Sequence, residues 1–206
     1  MSMAISDSAS LRGSTLHRRD STLADMANDP GAARTTERLL LRPWRIPEAT
    51  VQRQLWLERD PRVPAHRRIN ADGHPTLAEL QQRIRTQPPP TTCGLLAVQR
   101  LSDDAVLGYC GLIEGEGDQD PELAFELLRR FWGQGYATEA ATAVVDWARS
   151  SGHHSLKATV WDWNTASRRV LAKVGFTEVA TTEPVSVYGS TVVTTMPLQP
   201  AQHLQH

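Results

Sequence analysis

Arg130-Phe131-Trp132-Gly133-Gln134-Gly135-Tyr136-Ala137-Thr138-Glu139-Ala140 is the stretch on which the reading of this chain turns. Upstream lies the apolar segment Glu122-Leu123-Ala124-Phe125-Glu126-Leu127-Leu128, which reads as a strand. Downstream, Ala137, Ala140, Ala141, Val144, Val145 and Ala148 form the apolar stripe of a helix running to about Ser151, with Gly152 as its stop. Gly133 and Gly135 let the backbone turn tightly and approach a ligand with no Cβ in the way. The helix behind them offers unpaired N-terminal amides, and the positive end of its dipole, to an anion. Strand, glycine turn and helix together predict a diphosphate cradle, with a purely structural turn as the alternative. Two common nucleotide fingerprints fail: Thr138 stands where Gly-X-Gly-X-X-Gly needs its third glycine, and no Gly-Lys-Ser/Thr sequence occurs. Arg130, three residues ahead of Gly133, adds a guanidinium able to grip phosphate bidentately.

Outward from the turn, short elements alternate. Arg38 to Trp44 reads as a first strand stopped by Pro43. Helices are expected from Pro47 to about Arg59 and from Pro75 to about Thr86, the second with Leu77, Leu80 and Ile84 at helical spacing. Gly94 to Gln99 and Val106 to Ile113 form a meander around the turn Ser102-Asp103-Asp104. After the central helix come a strand at Ser155 to Trp161 and a helix at Thr165 to Val174 closed by Gly175. A hairpin-like pair, Phe176 to Ala180 and Thr191 to Leu198, ends the series. Residues 1–34 carry no sustained apolar period and are expected to be a flexible leader, 35–199 one domain, and 200–206 a tail.

The chain's 206 residues suffice for one core, and 40% hydrophobic with 22% charged residues is an ordinary globular balance. A formal net charge of -1 gives no pull toward nucleic acid or membrane. No apolar run approaches the roughly 18 residues of a bilayer span, and the first residues lack the basic start and continuous apolar core expected of a secretory signal. Cys93 and Cys110 show no metal-ligand spacing and read as small buried hydrophobes in a reducing cytoplasm.

Asn164, Ser167 and Leu171 share one helix face, and Asn164 suits the helix N-terminus, where a cap is its simplest role. For Ser167 the simple alternative is a hydroxyl satisfied within its helix. Along the strand before the turn, Glu122, Ala124, Glu126 and Leu128 face one way. Glu114, Glu116, Asp118 and Asp120 form either a solvated connector or an electronegative rim that attracts a cationic amine. Trp161 and Trp163 are core packing or pocket lining, while His153 and His154 read as helix-capping residues.

The sequence from Arg130 to Ala140 resembles the pyrophosphate loop of GNAT acetyltransferases, most narrowly the branch containing the ribosomal-protein N-terminal alanine acetyltransferases. Asn164-Thr165-Ala166-Ser167-Arg168-Arg169-Val170-Leu171-Ala172-Lys173-Val174-Gly175-Phe176 is similar to that branch's fourth-helix motif, and Thr36 to Arg42 to its first strand. The resemblance covers about residues 35 to 198. It implies a single α/β domain: a mixed, mostly antiparallel twisted sheet of about seven strands, flanked by about four helices and splayed between the fourth and fifth strands. It also implies acetyl-CoA as co-substrate, no metal, and a primary amine acceptor, either a small molecule or a protein N-terminus. Attack would be direct, through a tetrahedral intermediate.

The cofactor positions implied are Leu127, Leu128, Arg129, Arg130, Trp132, Gly133, Gln134, Gly135, Tyr136, Ala137, Asn164, Ser167 and Arg169. An oxyanion donor is expected at the N–H of Leu127 or Leu128. Glu122 matches the family's frequent base, Glu126 is the second candidate, and a structural salt bridge is the alternative for both. Ser167 would protonate the leaving thiolate; Leu171 stands where many members carry tyrosine. That departure keeps open a catalytically weak acyl-CoA-binding regulatory module. Neither nucleic acid nor membrane is implied as a partner, and the protein is expected to be a cytoplasmic monomer or homodimer.

Overall fold

The computed structural model describes residues 33–63, 75–115, 120–182 and 189–198; residues 1–32 of the expected leader, the expected tail, Glu116 and Asp118 lie outside them. Eight strands form one sheet: β1 (Arg34–Thr35), β2 (Leu39–Arg42), β3 (Gly94–Arg100), β4 (Val106–Ile113), β5 (Glu122–Leu127), β6 (Ser155–Trp161), β7 (Thr177–Thr181) and β8 (Thr191–Pro197). Their spatial order is β1-β2-β3-β4-β5-β6-β8-β7, antiparallel throughout except for parallel β5 and β6. The α-helices are α1 (Ala49–Glu58), α2 (Leu77–Thr86), α3 (Tyr136–Ser150) and α4 (Thr165–Val174). The α/β class, the mixed sheet and the helix count match expectation.

Four differences are instructive. Two-residue β1 adds an eighth strand and takes Arg34 into the sheet, paired with Leu41, although two residues are too short to show a period. The first helical stretch opens with a 3-10 turn, Ile46–Glu48, before α1. Helix α2 starts after Thr76, not at Pro75: Thr76 and Glu79 cap it reciprocally, which proline cannot do. Finally, β8 lies between β6 and β7 and pairs its backbone with both, while its alternating Val192, Thr194 and Met196 bury one face of the strand.

All six residues of β5 are buried, as a central strand covered on both faces requires. Helix α3 packs over β2, β4 and β5, and α1 packs on β4. The expected splay is present, numbered one higher because of β1. Strands β5 and β6 share a single register pair, Glu122 with Lys157, and Lys157 N donates to the Pro121 carbonyl at 3.0 Å. One step further the Glu122 carboxylate accepts from the Thr159 N–H at 3.2 Å and from its hydroxyl. A side chain thus makes the last rung, and the strands part beyond it.

Candidate active site

The glycine turn sits where β5 runs out. A 3-10 turn at Arg129–Phe131 leads to Gly133 and Gly135, both left-handed at φ 75° and 84°. Gly135 is the N-cap of α3 and supplies no side-chain acceptor. The first rung of α3 is Glu139 N to the Gly135 carbonyl at 3.1 Å, so the amides of Tyr136, Ala137 and Thr138 precede it and open outward. A residue overlooked in the sequence holds this turn in shape. The Arg38 guanidinium donates to the Gln134 carbonyl at 3.1 Å, pairs with Glu139 at 2.6 Å and covers the Tyr136 ring at 4.6 Å. Partial burial pushes the Glu139 carboxyl up, but bonds from Thr36 and Arg38 outweigh it and hold it below the ordinary range. The only sequence signal was the arginine in the first-strand motif.

Between the parting strands lies a cleft of about 190 Å³, lined by Leu55, Glu58, Arg59, Asp60, Arg62, Glu126, Leu127, Trp132, Trp163, Asn164, Thr165 and Ala166. The ladder decides which backbone N–H faces it. Leu128 N donates to the Leu107 carbonyl at 2.9 Å and is therefore spent on β4. By antiparallel alternation the N–H and C=O of Leu127 point the other way, toward the gap, and the Trp132 indole donates to that C=O at 2.6 Å. Of the two expected oxyanion donors, Leu128 is unsuited and Leu127 is well aimed.

The two candidate carboxylates occupy different places. Glu126 lines the cleft, gripped by Arg59 at 3.0 Å (Nε to Oε1) and 2.7 Å (Nη2 to Oε2), while the Tyr109 hydroxyl donates to it at 3.2 Å. Burial alone would lower the pKa of Arg59; the charge and hydrogen bonds of Glu126, with Tyr109, more than offset that and raise it. The Tyr109 hydroxyl is pushed up, first by burial and then by the charge of Glu126, so it stays a proton-bearing donor. Glu122 is buried at the closed base of the splay, facing Thr159 and outside the cleft lining.

Across the gap, Asn164 caps α4 by accepting from Ser167 N at 3.2 Å and also lines the cleft. Ser167 is fully buried, and its hydroxyl has no hydrogen-bond partner among the described residues. Its expected alternative, satisfaction within the helix, does not occur. An unsatisfied buried hydroxyl costs about 1–3 kcal/mol, and Ser167, unlike its neighbours Thr165 and Ala166, is not among the residues that line the cleft.

The remaining candidates surround these. Arg129 is anchored to α1, its N–H on the Glu58 carboxylate at 2.7 Å and its Nε on the Glu58 carbonyl at 2.9 Å. Arg130 is exposed over the Phe131 ring, and Gln134 Nε2 donates to the Arg130 carbonyl at 3.1 Å. Arg169 is exposed on α4. Trp161 is buried, whereas Trp163 lines the cleft, so the two tryptophans divide between the expected roles. His153 corrects expectation in part: its backbone N–H caps α3 on the Ala148 carbonyl, but its ring faces the Thr92 carbonyl at 3.1 Å. Burial, aided by Glu114, pushes the Cys93 thiol up to about 11, and burial raises Cys110 as well, leaving both poor nucleophiles at neutral pH.

Among the described residues, no group of side chains forms a metal site and no helix is long and apolar enough to cross a membrane. A family model described as an acetyltransferase (GNAT) domain matches residues 38–177. An uncharacterized N-acetyltransferase p20 from Bacillus licheniformis is 29% identical over 145 residues, covering 68% of this chain and 80% of that protein. A GNAT-family acetyltransferase from Bacillus anthracis superposes with a TM-score of 0.66 at 18% identity, covering 80% of this chain and 98% of that one. The structure titled yncA, an acetyltransferase from Salmonella typhimurium with its cofactor acetyl-CoA, gives a TM-score of 0.60 at 18% identity over 81% and 96%. The chain belongs to the GNAT acetyltransferase family, whose reaction is acetyl transfer from acetyl-CoA.

Proposed function

We propose that the protein acetylates a primary amine directly, without an acyl-enzyme. The observation that carries this reading is the cleft between β5 and β6, which brings the Leu127 N–H, Glu126 and the start of α4 onto one small space. The chain fits acetyl-CoA: the amides of residues 136–138, with Arg130, would hold the diphosphate, and Asn164 the pantetheine arm. When bound, acetyl-CoA supplies the activated acyl group as a thioester. The Leu127 N–H would stabilise the carbonyl oxygen as it gains charge. The Ser167 hydroxyl, without a hydrogen-bond partner among the described residues, would donate to the departing sulfur. The raised cysteine thiols support attack by the amine itself rather than by a protein nucleophile.

The buried pair with Arg59 is the salt bridge expected as the alternative for Glu126; for the amine's proton, cleft position still favours Glu126, acting through water, over Glu122. Glu126→Gln should lower kcat by about 100-fold, the scale of a lost general base. Glu122→Gln keeps an acceptor for Thr159 and should leave kcat within about 3-fold. The reverse ranking would move the base to Glu122. The test of the function is CoA release with a panel of small amines and peptides bearing free α-amino groups. Acetyl-CoA binding without release across the panel would favour the regulatory module.

A further inference from the structure

We propose that the face of Trp163, with the carboxylates of Asp60 and Asp162 beside it, recognises a second cationic group on the amine acceptor, and that Arg62 occupies this site as an internal competitor. The inference rests on the amine-acetylation reading. Asp60-Pro61-Arg62-Val63 is a side-chain-stabilised turn: Arg62 N donates to Asp60 Oδ1 and Val63 N to the Asp60 carbonyl, each at 2.9 Å. Val63 is buried and pins the turn at the end of α1. The turn sends the Arg62 side chain across the cleft to the end of β6. There its guanidinium stacks at 4.0 Å from the Trp163 ring centre and bonds both Asp60 oxygens at 2.9 Å.

The ring is a fixed platform. Trp163 stacks on Trp161 at 6.3 Å with planes 5° apart, and its backbone N–H donates to Asp162 Oδ1 at 2.8 Å. Gly189 packs so closely behind that a Cβ there would meet Asp162 Oδ1 at 2.8 Å and Trp163 Cδ1 at 3.2 Å. The occupant is not fixed in the same way. The Arg62 side chain is 56% exposed and that of Asp60 32%, and an exposed ion pair and an exposed cation–π contact both hold weakly. The bond from Arg62, reinforced by the charges of Arg62 and Arg129, keeps the Asp60 carboxyl below its ordinary range.

Asp60, Arg62 and Trp163 wall the same cleft as Leu127 and Asn164. A cation on the acceptor, placed a few bonds from its reacting nitrogen, would therefore reach the platform by displacing Arg62. An alkyl diamine and a peptide with a basic residue after its N-terminus present the same chemistry.

The test compares cadaverine, butylamine, and the peptides Ala-Arg-Ala and Ala-Ala-Ala as acceptors. Arg62→Ala should lower KM for cadaverine or Ala-Arg-Ala by about 3- to 10-fold and leave butylamine and Ala-Ala-Ala unchanged; Asp60→Asn should raise KM for the cationic acceptor by a similar factor. Which dicationic acceptor responds identifies the source. Equal shifts for acceptors with and without the second cation, or a rise in KM for cadaverine in Arg62→Ala, overturns the site while leaving amine acetylation intact. Trp fluorescence of Arg62→Ala titrated with cadaverine in the absence of acetyl-CoA, with Trp163→Phe as control, separates the two claims. Quenching that depends on Trp163 without any turnover sustains the site and defeats the amine reading.

Discussion

Replacing Arg59 by alanine is expected to destabilise the protein by about 3–5 kcal/mol, the cost of leaving a buried charge without its partner. The Arg59 and Glu126 side chains are only 10% and 4% exposed, and the guanidinium bonds both carboxylate oxygens. Without Arg59, Glu126 keeps the bond from the Tyr109 hydroxyl, a neutral donor that cannot balance a full charge on a buried strand. Arg59→Met combined with Glu126→Met removes both charges and should recover most of the loss, because apolar pairs of similar volume often replace buried ion pairs at little cost. Urea unfolding with the denaturant slope compared across the three proteins measures this. A loss below about 1 kcal/mol in Arg59→Ala would mean that water reaches the pair and screens it. Glu126→Gln keeps a hydrogen-bond acceptor for Arg59 but removes its counter-charge, so it should lose stability as well as turnover, and its kcat is to be read on the folded fraction.

Gly135→Ala is expected to weaken acetyl-CoA binding by about 30- to 100-fold. A side chain at φ 84° costs roughly 1–3 kcal/mol, and relieving it rotates the amides that open from the start of α3. The added Cβ would also sit 3.3 Å from Arg38 Nη2, disturbing the guanidinium that clamps the turn through Gln134 and Glu139. Gly133→Ala has no neighbour within 4 Å and loses only the backbone term, so its effect should be smaller. Calorimetric titration with CoA gives both values. Equal, small losses would place the anion away from this turn.

What the sequence disclosed was what local chemistry dictates. The glycine turn was legible because left-handed backbone at 133 and 135 requires glycine and an apolar strand and helix flank it. Asn164 was legible because its carbonyl oxygen accepts from the amide three residues on. The splay beside Glu122 came from resemblance, and the ladder then showed its physical cause in the carboxylate that ends the pairing. Pairings across long separations were not legible: Arg59 meets Glu126 across 67 residues and Arg38 meets Glu139 across 101. The choice between Leu127 and Leu128 depends on which N–H the β4 ladder uses, and a strand's own sequence carries no record of that. Trp163 could not be assigned to core or cleft for a similar reason. Its surroundings come from the turn after α1, about a hundred residues earlier in the chain.

In the proposed reaction the cleft between β5 and β6 passes an acetyl group straight from acetyl-CoA to an amine. Intact-protein mass spectrometry during turnover, run with and without an amine acceptor, tests it most directly. Direct transfer requires that CoA be released only when the amine is present, that the amine gain one acetyl group, and that the protein mass never change. CoA release without acceptor, accompanied by one acetyl group on the protein and its later transfer, would contradict it.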